Sequence, residues 1–248
     1  MSKGKEPKIL LWDIETSYIV ATTFSLFPER LPHDGIIQDW NIICAAWKWL
    51  GEKKTYTAAV GPDTTNDLDV VVQLREVLAS ADVIVHHNGD KFDIKKFNTR
   101  LIYYGLEPLP HIPTVDTLKE ARKIAAFTSN RLDYLGNFLC GEGKVQTSHG
   151  LWMRVLKGDM AAVKEMVRYN VGDVLVLEKV YLKLKPYMKR HPHVGVMTND
   201  TKCSCNKCGS VNLKKNGVRI TAAGVKKQEM QCKECGSYQL INMTLVDK

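Results

Sequence analysis

The 248-residue chain is long enough for one ordinary domain with a small module attached. Its 44% hydrophobic content contains no apolar run near the roughly 18 residues of a membrane span, so no transmembrane segment is expected. A formal charge of +8 and a pI of about 9.0 suit a polyanionic partner, because lysine and arginine release counterions from phosphate backbones, although many basic proteins bind no nucleic acid.

The opening "MSKGKEPKILLWD" reaches Asp13 after only four apolar residues. That is too short for a secretory signal, and the expected location is the cytoplasm. Strand character comes first, in "KILLWDIE" from Lys8, "NIICAAWKWL" from Asn41 and "KTYTAAV" from Lys54. Helices then alternate with strands. "DLDVVVQLREVLASA" from Asp67 has helical apolar spacing, "DVIVHHN" from Asp82 reads as a buried strand, and "FDIKKFNTRLIYYG" from Phe92 reads as a helix ending on glycine. A short strand, "TVDTL", follows Pro113; "RLDYLGNFLC" and a helical region from Asp159 to about Met188, with a bend expected at Gly172, complete this part. A meander followed by alternation implies an α/β fold with a mixed five-stranded sheet flanked by helices, an order that fits a ribonuclease-H-like sheet but also other α/β folds.

"KPYMKRHPHVGVMTNDT" carries prolines, charge and little periodicity. Residues 1–190 are therefore expected as the first domain, 191–201 as a linker and 202–248 as a small β module. In that module, from Asn199 onward, nine lysines and arginines face four acidic residues.

Three acidic fragments stand out. In "LLWDIET", Asp13 and Glu15 are two apart on a strand and so share a face, opposite Trp12 and Ile14. Buried carboxylates need a positive partner, which a hard divalent cation would supply; alternatively the two acids sit in water at the strand's end or pair with arginine. "HNGDKFDIKKF" puts Asp93 near a helix start, where an acid is also an ordinary capping residue. "RYNVGDV" puts Tyr169 and Asp173 at i and i+4, on one helix face beside an apolar stripe that includes Met166, Asn170 and Val174. Gly172 offers room for a close approach, or merely packs. His86 and His87, at the end of a strand, are read as packed and hydrogen-bonded rather than as metal ligands. Asp116 is read as a cap or a supporting partner.

Taken in order, D-I-E-T, N-x-x-x-F-D and Y-x-x-x-D resemble the three exonuclease motifs of the DEDD superfamily, in its tyrosine variant. The histidine variant would need histidine where Arg168 stands. The second motif is similar to that of the proofreading domains of family B DNA polymerases. With "DWNIICAAWKW", "NRLDYLGNFLCGEGK" and "MVRYNVGDVLVLEKVYLKLKPY", the resemblance extends to stand-alone exonucleases of tailed phages and covers nearly the whole chain.

The resemblance implies a ribonuclease-H-like fold and 3′–5′ exonuclease activity in a bacterial or phage-infected host cell. It assigns Asp13, Glu15 and Asp173 to one Mg²⁺ or Mn²⁺, and Asp13 with Asp93 to a second, the two ions about 4 Å apart. Tyr169 with Glu15 would orient the attacking water, and Asn88 would contact the terminal nucleotide. The implied substrate is DNA with a 3′ end, released as nucleoside 5′-monophosphates, with a replication or recombination protein as a further partner. An RNA-directed exonuclease, a structure-selective endonuclease and a non-catalytic nucleic-acid-binding adaptor remain open.

Of seven cysteines, Cys44 and Cys140 stand alone in apolar surroundings and read as core residues. "CNKCGS" and "CKECGS" are matching knuckles, Cys205 with Cys208 and Cys232 with Cys235. Four thiolates so spaced suit one tetrahedral structural Zn²⁺, making the module a zinc ribbon. Cys203 competes with Cys205 as a ligand. Lys214, Lys215, Arg219, Lys226 and Lys227 bracket the ribbon's hairpin, either as a phosphate-tracking surface or as a solvated face.

Overall fold

The computed structural model describes residues 6–25, 27, 30–142, 149–199 and 201–246. Gly143 and Lys144, within one stretch that carries the resemblance, and Asp200 of the linker segment lie outside the described residues.

The apolar run at the start forms β1 (Ile9–Thr16), the middle strand of the main sheet. A small antiparallel pair, β2 (Val20–Ala21) and β3 (Ile36–Gln38), precedes the meander strands β4 (Ile42–Trp49) and β5 (Thr55–Ala59). Next come α1 (Leu68–Ala79), β6 (Val83–His86), α2 (Asp93–Tyr103) and β7 (Thr114–Asp116). β4 runs antiparallel to β1 and β5 antiparallel to β4, whereas β6 is parallel to β1 and β7 parallel to β6. The sheet order is β5-β4-β1-β6-β7, a mixed five-stranded ribonuclease-H-like sheet. Four helices follow: α3 (Thr117–Ile124), α4 (Leu132–Cys140), α5 (His149–Leu156) and α6 (Met160–Leu184).

Alternation along β1 splits the core into two layers. Leu10, Trp12 and Ile14 pack with Val70, Leu74 and Leu78 of α1 and with Phe97 and Leu101 of α2. Ile9 and Leu11 face the other layer, which holds Leu135 of α4 and Leu177, Val180 and Tyr181 of α6. Burying each such side chain contributes about 1.5–3 kcal/mol relative to exposure. Polar groups fix the packing angles. The buried Asp67 carboxylate accepts the Ile42 N–H at 2.8 Å, the Arg100 guanidinium at 2.6 Å and the Tyr104 hydroxyl at 2.6 Å, joining α1, β4 and α2. Lys48 of β4 pairs with Glu178 of α6 and docks the long helix on the sheet.

Asp159 caps α6 by accepting the N–H groups of Ala161 and Ala162. The helix then runs unbroken through Gly172. A Cβ built on Gly172 would meet no described atom within 4 Å, so the close approach considered for it is absent among the described residues. The α6 ladder satisfies its own backbone, and one glycine weakens a packed helix without breaking it.

Within the segment expected as a linker, Val194–Asn199 forms the short helix α7. Val194 is buried and its N–H reaches the Asn206 carbonyl at 3.0 Å. Gly195 lies so close to the next turn that a Cβ there would fall 1.9 Å from Ser204 Oγ. Beyond it, β8 (Leu213–Ile220), β9 (Lys226–Cys232) and β10 (Tyr238–Asn242) form an antiparallel sheet in the order β10-β9-β8, closed by α8 (Met243–Val246). This small sheet carries the four-cysteine cluster. Among the described residues no helix is long and apolar enough to cross a membrane.

Candidate active site

β1 changes chemistry halfway along one face. Ile9 and Leu11 are apolar and pack on α6, and the next two residues on that face are Asp13 and Glu15. Their cross-strand neighbours on β4 are small, Ala46 opposite Asp13 and Cys44 opposite Glu15, which leaves space above the acids. Burial first, then the charges of Glu15 and Asp13, push the Cys44 thiol well up, so it stays protonated.

α6 crosses above that space and brings Tyr169, Asn170 and Asp173 to it. One oxygen from each of Asp13, Glu15 and Asp173 lies within 4.8 Å of the others, although the residues come from strands and helices some 160 positions apart. Asp173 is only 3% exposed. Asn170, fully buried, donates from Nδ2 to Asp13 Oδ2 at 2.7 Å. Tyr169 is held by Trp152 of α5, edge to face with centroids 6.3 Å apart, and Trp152 is in turn anchored by donating to the Thr16 carbonyl at 3.1 Å.

Asp93 approaches from the other side of β1. At the first turn of α2 it is 3% exposed, and its Oδ1 accepts the Ile14 N–H at 3.3 Å. Burial pushes its carboxyl up to about 6, a rise partly offset by His86 and by that N–H. The structure thus brings Asp13, Glu15 and Asp173 together and hangs Asp93 from the backbone between the two β1 acids, while Tyr169 lies one turn before Asp173 on α6 against Trp152.

Asn88 occupies the β6–α2 turn with a left-handed backbone, φ 66°, which asparagine tolerates better than most residues. Its N–H donates to Asp116 Oδ1 at 2.9 Å, and Asp116 also caps α3 through the N–H groups of Leu118 and Lys119. Gly89 is required there because a Cβ would lie 2.4 Å from His86 Cγ.

His86, Asp90 and Asp116 also bring three ligand-type atoms within 4.8 Å. Of these, Asp90 is engaged elsewhere, whereas His86 Nε2 and Asp116 Oδ2 are buried with no hydrogen-bond partner among the described residues. His86 Nδ1 accepts the Gly89 N–H at 3.1 Å, so the proton sits on Nε2, which faces Asp90 Oδ1 at 3.2 Å, and Asp90 is paired with Lys119 at 2.5 Å. His87 bonds Thr117 Oγ1 at 2.8 Å and the Asn130 carbonyl at 3.0 Å.

In the C-terminal sheet, Cys205, Cys208, Cys232 and Cys235 converge. The Cys205–Cys235 and Cys208–Cys232 sulfur pairs are each 3.6 Å apart. That separation far exceeds a disulfide's roughly 2.05 Å and is near the roughly 3.8 Å edge of a tetrahedron with Zn–S bonds of about 2.3 Å. Cys203 stands outside the group and donates to the Leu245 carbonyl at 2.7 Å.

Two contributors escaped the sequence reading. Trp152 lies on α5, an eight-residue helix too short to show a clear period. Asn170 was visible only as a member of an inward stripe.

A family model described as the RNase_H superfamily matches residues 34–185, more than half of the chain, including Asn88, Asp93, Tyr169 and Asp173. The DNA polymerase III PolC-type of Ureaplasma parvum serovar 3 (strain ATCC 700970) is 25% identical over 209 residues, a stretch covering 77% of this chain. The chain spans only 14% of that protein's length. Sheet order, the acids at the end of its central strand and the extent of the family match agree: this chain belongs to the RNase_H superfamily.

Proposed function

We propose that the chain is a metal-dependent 3′–5′ exonuclease that hydrolyses phosphodiester bonds at DNA 3′ ends and releases nucleoside 5′-monophosphates. The observation that carries the reading is the meeting of Asp13, Glu15 and Asp173 within 4.8 Å at the end of β1, with Asp93 bonded to the same strand. Three carboxylates so close repel one another, and an all-oxygen donor set fits hard Mg²⁺ or Mn²⁺ better than softer metals. Asp13, Glu15 and Asp173 would hold one ion, and Asp13 with Asp93 a second. When bound, such a pair supplies an activated water and charge stabilisation of the departing 3′ oxygen.

The chain's own groups supply the rest. Tyr169, oriented by Trp152, presents its hydroxyl to position water together with Glu15. It is not the base, because a phenol of pKa about 10 gives up its proton too rarely at neutral pH. Asn88, on the β6–α2 turn, is the candidate contact for the terminal nucleotide. The DNA preference draws on the DNA polymerase named among the relatives, and the +8 charge suits a nucleic acid of either kind.

Residues 1–190 are read as the nuclease domain, 191–201 as a linker and 202–248 as a zinc ribbon. Cys205, Cys208, Cys232 and Cys235 would bind one structural Zn²⁺, which stabilises a module too small for a core of its own. The ribbon is assigned to substrate or to a replication or recombination partner.

The test is digestion of end-labelled single-stranded DNA, duplex DNA and RNA with Mg²⁺ or Mn²⁺, using wild type and an Asp13→Ala, Asp173→Ala double variant. A ladder growing from the 3′ end of DNA and absent in the variant is expected. Cleavage of a closed circle would mean an endonuclease, preference for RNA an RNA-directed enzyme, and equal nucleotide release by both proteins a non-catalytic adaptor.

A further inference from the structure

We infer that Asn170 is a positioning residue of the carboxylate cluster: its side-chain amide sets the rotation of the Asp13 carboxylate so that Asp13, Glu15 and Asp173 meet already aligned for a divalent cation. The inference rests on reading that cluster as a cation site, and it concerns a residue outside the acid and tyrosine motifs.

The contact is short, and its donor is shielded from water. Asn170 Nδ2 lies 2.7 Å from Asp13 Oδ2, and Asn170 is 0% exposed. A hydrogen bond to an ionised acceptor is roughly twice as strong as a neutral one, and a part-buried one is less open to competition from water than an exposed one. The amide's orientation is determined by charge, since turning it over would set its oxygen against the carboxylate, two acceptors face to face.

The other end of the amide shows what the arrangement forgoes. Asn170 Oδ1 is buried and has no hydrogen-bond partner among the described residues. A residue chosen only to join α6 to β1 could be apolar at that position, as Met166 and Val174 are on the same stripe. A buried amide with one end unsatisfied is costly, and its other end is spent on the acid.

Chemistry narrows the residue type. Aspartate at 170 would place another acceptor against Asp13, and an aliphatic side chain would leave Oδ2 without this donor. Asn170 also sits directly after Tyr169 and one turn before Asp173, so a single helix carries the donor, one acid and the tyrosine. Any shift of α6 along β1 therefore moves all three together.

Hydrogen-bonding partners of metal ligands typically change metal affinity or activity by about 10- to 100-fold when removed. The test uses the full zinc-loaded chain and Mn²⁺ alone as the probe, with binding read by electron paramagnetic resonance in wild type, Asn170→Leu and Asn170→Ser. Thermal melting in the absence of Mn²⁺ checks each fold, and the Mg²⁺ concentration for half-maximal nucleotide release is measured alongside.

Asn170→Leu, which keeps the volume, should raise the Mn²⁺ concentration for half occupancy about tenfold. Asn170→Ser, which keeps a donor on a smaller side chain, should fall between it and wild type. Mn²⁺ affinity of Asn170→Leu within about twofold of wild type overturns the inference, and so does a Tm loss with unchanged affinity. If wild type digests nothing yet binds Mn²⁺, the comparison still decides the role of Asn170 while the nuclease reading fails. If wild type binds no Mn²⁺, both fail.

Discussion

The Asp93 carboxylate accepts the backbone N–H of Ile14 at 3.3 Å, across 79 residues of chain. The reason lies in strand lengths. β6 pairs with β1 only from Ile9 to Leu11, so the backbone of β1 beyond that point has no strand on its β6 side. A buried N–H needs an acceptor, and the first turn of α2 provides one. That place, beyond the carboxyl ends of the parallel strands, is where open α/β sheets bind ligands. Asp93→Asn keeps an acceptor for Ile14 and removes the charge. It should therefore fold like wild type while nucleotide release falls by about a hundredfold or more, beyond the roughly 10- to 100-fold typical of groups that only support metal ligands, if Asp93 holds the ion proposed for it. Asp93→Ala, which also removes the acceptor, should melt lower than Asp93→Asn. Equal melting of the two would show that the Ile14 bond contributes nothing.

Burial pushes the Asp93 carboxyl up to about 6, against about 4 in an unfolded chain. The raised value means the neutral acid is favoured in the fold. Its contribution to stability is fully present below pH about 4, declines as pH rises and is lost above about 6. In zinc-loaded protein free of other divalent ions, Tm should fall between pH about 4 and about 6. Asp93→Asn should flatten that segment, and Mn²⁺ at pH 7 should restore the wild-type Tm by binding the ionised site. Melting curves with the same slope in both proteins would assign the pH effect to other groups.

Tyr169→Phe separates ring from hydroxyl. The ring's contact with Trp152 survives, so the melting temperature should stay within a few degrees. Loss of one oriented hydrogen-bonding group at a reacting centre costs about 100- to 1,000-fold in turnover, and the lower end is expected here because the proposed mechanism divides the task between Tyr169 and Glu15. Single-turnover digestion at saturating Mg²⁺ measures it. Unchanged turnover would reduce Tyr169 to a packing residue.

Much of this was legible in the sequence because the signals were periodic or local. Alternation in "KILLWDIE" placed Asp13 and Glu15 on one face, and the i, i+4 spacing placed Tyr169 beside Asp173. β2, β3 and α5 were missed because a two-residue strand, a three-residue strand and an eight-residue helix leave too few repeats for a period to emerge. The Asn170 bond to Asp13 could not be read at all, since it depends on where α6 crosses β1, a tertiary fact with no local signature.

The cysteines make a clean choice between candidates. Cys203 is occupied with the Leu245 carbonyl, whereas Cys205 stands 3.6 Å from Cys235 within the four-sulfur group. Cys203→Ser should retain one zinc per chain by elemental analysis, and Cys205→Ser should lose it. A strong chelator should release that zinc and weaken amide-exchange protection in β8, β9 and β10, because the metal supplies folding free energy to the module. The opposite stoichiometries would reassign the ligand to Cys203.

His191 joins the end of α6 to the segment that leads into the ribbon. Its Nε2 faces the Tyr181 hydroxyl at 2.8 Å and its Nδ1 faces the Pro192 carbonyl at 2.8 Å. The carbonyl can only accept, so Nδ1 carries the proton and Nε2 accepts from tyrosine, which describes a neutral ring. Burial pushes its pKa down to about 4, against about 6.5 in an unfolded chain. The contribution to stability is thus complete above pH about 6.5. It erodes as pH falls towards 4, because the unfolded chain takes up a proton that the folded one refuses. His191→Gln, which loses the stacking on Tyr181, should melt lower than wild type at pH 7.5 yet decline less between pH 6.5 and 5. Parallel curves over that range would remove His191 as the acid-sensitive joint, whereas convergence of the two would locate the first step of acid unfolding at the end of α6.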